Sequence, residues 1–334
     1  MITADDFKQA IALIEHSHHV LITTHTRPDG DACGSVRAMV AALAALGKTA
    51  QPIFLSPLPE WYEFLFEQKV PILGNDITPD DLNAPRFADV DLVLIVDTNS
   101  YVQLPQFDEW LRAADKNVLV IDHHITGDNL GRVQLIDTSA AAAGEIVFDL
   151  YRHAGWPITP PVAEALFVAL ATDSGWFKFS NVDSRLLRNA ADLVDAGADP
   201  NAVYRKLYQN FSPSRMDLLI CVLNSMSLHF DGRVAAQHLL RSDFDATGAT
   251  GRDTENLIDE CQRIASVDVA LLFVELADNG FRCSLRSKGK VDVRKIAQKF
   301  GGGGHTMASG VNLPGPLEHA QNLILTELAK QLNP

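Results

Sequence analysis

Apolar residues recur along this chain in two rhythms, and the rhythms mark out its elements. Helical spacing covers residues 4–16, after which His19 to Thr24 is a continuous apolar, β-prone run. The chain then turns through Arg27-Pro28-Asp29-Gly30-Asp31, and a helix is expected from near Gly34 to Gly47. A strand pattern covers Thr49 to Leu55. Two more, Asp91-Leu92-Val93-Leu94-Ile95-Val96 and Val118-Leu119-Val120-Ile121, run straight into Asp97 and Asp122. Unbroken apolar strands separated by helical segments predict a parallel sheet buried on both faces. In such sheets ligands sit beyond the carboxyl ends of the strands.

Helical periodicity follows over 140–154, 160–172, 184–196, 200–209 and 213–228, and strand character returns at Val234 to Leu240. Residues 267–287 read as a hairpin turned at Asp278-Asn279-Gly280. A helix over 291–299, the run Gly301-Gly302-Gly303-Gly304-His305 and a final helix over 317–332 complete a second α/β unit. The predicted fold class is α/β, with an N-terminal parallel-sheet domain over 1–190 carrying helices on both faces. A helical linker over 191–228 and a smaller C-terminal α/β domain over 229–334 follow. No internal repeat or low-complexity tract interrupts this plan.

Composition narrows the picture. A length of 334 residues suits two domains better than one. No stretch approaches the roughly 20 apolar residues of a membrane span, and the opening Met1-Ile2-Thr3-Ala4-Asp5-Asp6 lacks the basic start of a secretory signal. A cytoplasmic location without a membrane partner is therefore expected. Cys33, Cys221, Cys261 and Cys283 form no CxxC pair and read as reduced, mostly buried thiols. A formal net charge of −14 argues against a nucleic-acid coat protein with a basic surface. It permits an anionic substrate, because a site for divalent cations is itself built from carboxylates.

Acids and imidazoles gather where the apolar runs end. The first strand delivers His25, Asp29 and Asp31, the third Asp97, and the fourth Asp122-His123-His124. The apolar run Ala165–Leu170 ends in Ala171-Thr172-Asp173-Ser174-Gly175. A single acid after a strand is often only a helix cap, but four such segments in one chain point to a common site. Carboxylates mixed with imidazoles suit Mn²⁺, Mg²⁺ or Co²⁺, harder ions than a thiolate zinc site takes. Their number suits two ions about 4 Å apart sharing one carboxylate, the arrangement of metal-dependent phosphoesterases.

The residues His25-Thr26-Arg27-Pro28-Asp29-Gly30-Asp31, Asp97-Thr98, Asp122-His123-His124 and Thr172-Asp173-Ser174-Gly175 resemble, in order, the four motifs of the DHH phosphoesterase family. The tail Gly301-Gly302-Gly303-Gly304-His305-Thr306-Met307-Ala308-Ser309-Gly310 is similar to that family's companion DHHA1 domain. The likeness spans nearly the whole chain and is nearest to small bacterial oligoribonuclease and pAp-phosphatase (nanoRNase) members. It implies His25, Asp29 and Asp97 on one metal and Asp31, Asp97, His123 and Asp173 on the other, with Asp97 bridging. It also implies catalytic roles for His124, facing the substrate phosphate or leaving oxygen, and for Asp122, orienting an imidazole. Cys33 stands where a more ordinary apolar residue is expected.

In the C-terminal half, Arg282, Arg286, Lys288, Lys290, Arg294, Lys295 and Lys299 face the single acid Asp292 over 282–299, a local reversal of the chain's charge. Arg286-Ser287 follows a strand, and guanidinium suits bidentate contact with phosphate. Gly301, Gly302, Gly303 and Gly304 allow backbone N–H groups to approach an anion, although such a run also serves as a flexible joint. With His305, these residues are the expected grip on substrate. The functional expectation is a clamp hydrolysing short single-stranded RNA or DNA to 5′-mononucleotides, or pAp to AMP, with two divalent ions, Mn²⁺ first among them. Duplex nucleic acid is excluded, and a homodimer is compatible. Pyrophosphate or polyphosphate hydrolysis, cyclic-dinucleotide or pApA hydrolysis, and a nucleotide-binding regulator without turnover are the alternatives.

Overall fold

The computed structural model describes residues 2–332. The chain falls into two units, one running to Asn210 and the other beginning at Phe211. In the first, β1 (His19–Thr23), β2 (Thr49–Pro52), β3 (Leu92–Val96), β4 (Asn117–Asp122) and β5 (Val133–Ile136) form a sheet in the order β2-β1-β3-β4-β5. All its pairings are parallel. Side-chain alternation along β3 serves both faces: Leu92, Leu94 and Val96 enter one core cluster, Val93 and Ile95 the other. The first cluster includes residues of α1 (Ala4–His16), α2 (Gly30–Ala45), and, further on, the helices 143–154 and 160–173. The second includes residues of α3 (Pro85–Ala88) and α4 (Phe107–Ala113). Burial on both faces explains why these strands read as unbroken apolar runs.

Helix α2 begins four positions earlier than the pattern suggested. Asp29 is its N-cap, and its Oδ1 accepts the N–H groups of Asp31 and Ala32 at 3.0 and 3.1 Å, which starts the helix at Gly30. Both acids thereby sit on the helix's first turn. The helices α5 (Ala143–Ala154) and α6 (Pro160–Asp173) complete the layer around it. A Cβ at Gly34 would lie 2.2 Å from the Ala165 carbonyl oxygen and 3.0 Å from Ala169 Cβ, so α2 and α6 approach backbone to backbone.

The segment expected as a linker is helical, and its helices are shared between the units. α7 (Ser184–Asp195) and α8 (Pro200–Tyr208) bury Leu193, Val203 and Leu207 in the first unit's core. α9 (Pro213–Asn224) buries Leu218 and Val222 in the second's. The chain after Asn224 is not helical: Ser227–His229 forms an edge strand, β6. β7 (Val234–Leu239), α10 (Arg241–Thr247), β8 (Val269–Glu275), β9 (Phe281–Ser287), α11 (Val293–Gln298), β10 (Gly303–Gly304), β11 (Ala308–Leu313) and α12 (Leu317–Leu332) follow. Their sheet runs β10-β11-β9-β8-β7-β6, with β7–β8 the parallel pair and the other pairings antiparallel. β5, β6, β10 and β11 went unforeseen because they are short or rich in Gly and polar residues. Among the described residues no helix is long and apolar enough to cross a membrane.

Candidate metal centre

Five element ends of the first unit bring acids or imidazoles to one place. His25 follows β1, Asp29 and Asp31 open α2, Asp97 follows β3, Asp122-His123-His124 close β4, and Asp173 is the last residue of α6. Asp97 adopts a left-handed backbone (φ 60°), uncommon for a residue with a side chain, while its N–H donates to Ile121 O at 2.8 Å. That turn brings its carboxylate between two imidazoles. His25 Nε2 lies 3.2 Å from Asp97 Oδ2 and 3.9 Å from Asp29 Oδ1. His123 Nε2 lies 3.5 Å from Asp97 Oδ1, 3.6 Å from Asp173 Oδ2 and 3.9 Å from Asp31 Oδ2.

Three sets of donor atoms therefore converge, each within 4.8 Å: His25, Asp29 and Asp97; Asp31, His123 and Asp173; and Asp97, His123 and His124. The imidazole that Asp122 contacts is His124, whose Nδ1 stands 2.7 Å from Asp122 Oδ1. Asp122 Oδ1 also accepts the His123 backbone N–H at 2.9 Å. Cys33 is a buried free thiol beside this cluster, pushed well up by burial and by the charges of Asp29, Asp97 and Asp31.

So much charge in one place shifts the titrations of His25, Asp97, His123 and Asp173. Burial works to lower the His123 pKa, but the Asp97 contact and the charges of Asp31, Asp97 and Asp173 raise it to about 11. His25 is likewise lifted against its burial, by Asp97 and Asp29, to about 10. Asp173 is pushed up to about 7, by burial first and then by Asp29 and Asp97, with His123 opposing. Burial would raise Asp97 too, yet the His123 and His25 imidazoles hold it well below the usual range. The raised imidazoles are protons held by surplus anionic charge, and a divalent cation relieves the same surplus.

The donor set fits such cations. Asp97 Oδ1 is buried without a hydrogen-bond partner among the described residues, although it belongs to the carboxylate common to two of the sets. A buried carboxylate oxygen of this kind is costly unless something positive meets it. Oxygen and imidazole donors without a thiolate suit Mn²⁺ or Mg²⁺ better than structural zinc.

Reading the strand ends missed the stretch behind the centre. The Ala140 carbonyl accepts from His123 Nδ1 at 3.2 Å, and the N–H groups of Ala143 and Gly144 hold the two Asp31 oxygens at 2.6 and 2.8 Å. The signal was present in the small-residue run Ser139-Ala140-Ala141-Ala142-Ala143-Gly144, which permits close backbone approach.

The second unit holds the other expected residues. Arg286 lies on β9 with Nε 3.6 Å from Asp259 Oδ1, and Ser287 is buried, its Oγ accepting from Gly289 N–H at 3.1 Å. The amides of Gly301 and Gly302 donate to Gln298 O and Ala297 O, so both are engaged by their own chain rather than held open for an anion. Gly303 and Gly304 form β10, which leads into the turn at His305. A Cβ at Gly302 would lie 2.3 Å from Gly310 O, and Gly304 sits at φ 132°, so packing against β11 accounts for these two glycines. The basic stretch is also less bare than its sequence suggested. Asp259, Asp268, Asp292 and Glu327 pair with Arg286, Lys290, Arg294 and Lys299, acids drawn mainly from distant segments.

Comparison with known proteins agrees with this division. A model of the DHH family, N-terminal domain, matches residues 19–170, and a DHHA1 domain model matches residues 231–333. The bifunctional oligoribonuclease and PAP phosphatase NrnA of Thermus thermophilus is 30% identical over 94% of this chain and 90% of its own length. Among solved structures, an exopolyphosphatase-related protein from Bacteroides fragilis has a TM-score of 0.91 at 24% identity, covering 99% of this chain and 98% of that one. Manganese-bound exonuclease RecJ has a TM-score of 0.56 at 14% identity, covering 98% and 96%. At those identities the two structures speak for the fold.

Proposed function

This chain belongs to the DHH family of phosphoesterases, and on that premise we propose that it hydrolyses short single-stranded oligoribonucleotides and pAp with a pair of divalent cations, Mn²⁺ foremost. The observation that carries the reading is Asp97: its Oδ2 lies 3.2 Å from His25 Nε2 of one donor set and its Oδ1 3.5 Å from His123 Nε2 of the other, and that buried Oδ1 has no hydrogen-bond partner among the described residues. His25 and Asp29 would hold one ion with it, and Asp31, His123 and Asp173 the other. When bound there, such a pair supplies Lewis-acid polarisation of a phosphoryl oxygen and a water acidic enough to ionise near neutral pH.

The chain's own groups do the rest. Donation from His123 Nδ1 to Ala140 O turns its Nε2 toward the carboxylates. Asp122 fixes the orientation of His124 and, with Asp97, raises its pKa against the effect of burial. The imidazolium so formed is the group suited to protonate the leaving oxygen. In the second unit, Arg286 and His305 are the residues proposed to contact a substrate phosphate, Arg286 through guanidinium donors. Ser287 and the run Gly301–Gly304 would shape that surface.

The substrate class draws its support from the relative named for oligoribonuclease and PAP phosphatase activity. The test is a panel of pAp, pApA, short RNA, duplex RNA, cyclic dinucleotides, pyrophosphate and polyphosphate, assayed with Mn²⁺ under one set of conditions. Highest kcat/KM on short RNA and pAp is expected. A preference for pyrophosphate, polyphosphate or a cyclic dinucleotide would replace this substrate assignment, and no turnover on any member would make the chain a nucleotide-binding regulator.

A further inference from the structure

Behind the candidate metal centre lies a partly buried charged network that none of the catalytic roles above uses. Glu145, in the first turn of α5, is 1% exposed. Its Oε2 accepts the Ala141 N–H at 2.8 Å and its Oε1 accepts from Asn189 Nδ2 at 2.8 Å, with Arg185 Nε 3.9 Å away. Arg185 also donates to Asp137 Oδ2 at 2.8 Å and to Asp149 Oδ2 at 2.6 Å. Asp137 in turn accepts from Ser139 N–H at 3.1 Å and Ser139 Oγ at 2.6 Å. The turn from Asp137 to Gly144 is thus held at its start by the Arg185–Asp137 pair and in its middle by Glu145.

That turn reaches three of the four ligand-bearing segments. Ala140 O orients His123, and the N–H groups of Ala143 and Gly144 hold Asp31. Ala141 O accepts from Asn181 Nδ2 at 3.2 Å, and the same amide group donates to Asp173 O at 3.3 Å. His123, Asp31 and Asp173 form one complete donor set. One backbone turn therefore holds two side chains of that cation position directly and reaches the backbone of the third residue through Asn181.

We infer that Glu145 and Arg185 are positioning residues for that position, acting through the Asp137–Gly144 turn without touching the ion. Burying Glu145 beside a half-buried guanidinium 3.9 Å away is a poor route to stability, because desolvation of the acid offsets most of the attraction between them. What the pair supplies is direction: Ala141 N–H is pinned, so the neighbouring Ala140 carbonyl meets the imidazole and the next two amides meet Asp31. Groups that orient a ligand from behind typically change metal affinity about 10–100-fold when lost.

The inference rests on the metal-dependent reading, and the test separates the two. Full-length protein stripped with EDTA is titrated with Mn²⁺, its thermal midpoint is recorded without metal, and turnover is measured at limiting and saturating Mn²⁺. Glu145→Gln and Arg185→Lys are expected to weaken Mn²⁺ binding about 10–100-fold. Their metal-free midpoints should stay near wild type, and turnover should recover at saturating Mn²⁺. Asp149→Asn, which removes an Arg185 partner outside the turn, should leave Mn²⁺ affinity unchanged. Unaltered affinity in a folded Glu145→Gln protein would overturn the inference while leaving the function standing. So would an affinity loss that Asp149→Asn reproduces in full. A wild-type protein that takes up no Mn²⁺ would overturn both.

Discussion

His123 and His124 are chain neighbours with different surroundings, and the difference assigns their work. His123 presents Nε2 to Asp31, Asp97 and Asp173, whereas His124 Nδ1 is tied to Asp122. His123→Ala should therefore lower Mn²⁺ affinity, measured by titration of EDTA-treated protein. His124→Ala should retain its metal and lose turnover by about 10²–10⁴-fold, the scale of a lost general acid. Metal loss following His124 instead would make the third donor set, Asp97, His123 and His124, the occupied one. The left-handed backbone of Asp97 belongs to this scale too. Strain of about 1–2 kcal/mol is tolerated where it aims a carboxylate at two partners.

Among the elements, α2 and α6 matter most, because α2 begins and α6 ends at metal-ligand candidates and their backbones meet at Gly34. Gly34→Ala poses two opposed effects. Helix propensity favours alanine by about 1 kcal/mol. Against that, the new methyl carbon would stand 2.2 Å from the Ala165 carbonyl oxygen, a backbone atom with no rotamer to yield. Overpacking of this kind costs about 1–3 kcal/mol or more. A lower urea midpoint is expected, together with weaker Mn²⁺ binding, since parting the helices moves Asp29 and Asp31 away from Asp173. An unchanged or higher midpoint would mean that the two helices separate without loss.

For the molecule as a whole, the metal centre links stability to pH. In metal-stripped protein, His25 and His123 titrate near 10 and 11 against an ordinary 6.5. Their contribution is present in full below about 6.5 and drains away as pH rises toward 10–11. Asp173, raised from 3.8 to about 7, adds a loss that accrues as pH rises between those values and is complete near 7. The thermal midpoint of EDTA-treated protein should thus fall between pH 6 and 10, and the gain from added Mn²⁺ should be larger at pH 9 than at pH 6, because protons compete with metal for the same donors. Scanning calorimetry at pH 6, 7.5 and 9 checks both; a flat or rising metal-free curve would contradict the charge arrangement. The second unit is tested separately through Arg286. Arg286→Ala should leave Mn²⁺ loading intact and lower kcat/KM for pAp at least about tenfold, or roughly 1.4 kcal/mol. Its effect on bis-p-nitrophenyl phosphate, which has no second phosphate, should be smaller. Equal losses would assign Arg286 to the support of the fold.

Local patterns in the chain were enough to determine the parallel sheet, the main helices and the acids and imidazoles at their ends. Strands such as Leu92–Val96, buried on both faces, and helices with long apolar repeats carry signals as strong as their burial. Only the tertiary structure decided the rest, because those features depend on atoms far apart in sequence. The Ala140–Gly144 amides and carbonyl serve His123 and Asp31 through backbone groups, which no side-chain pattern advertises. Arg185 meets Asp137 across 48 residues, and Arg286 meets Asp259 from another segment. Thus a stretch that looked bare and basic is paired. Gly302 and Gly304, read as an open anion cradle, are small because β11 lies against them. Side-chain chemistry is written locally, whereas the partners that orient and neutralise it are set by folding.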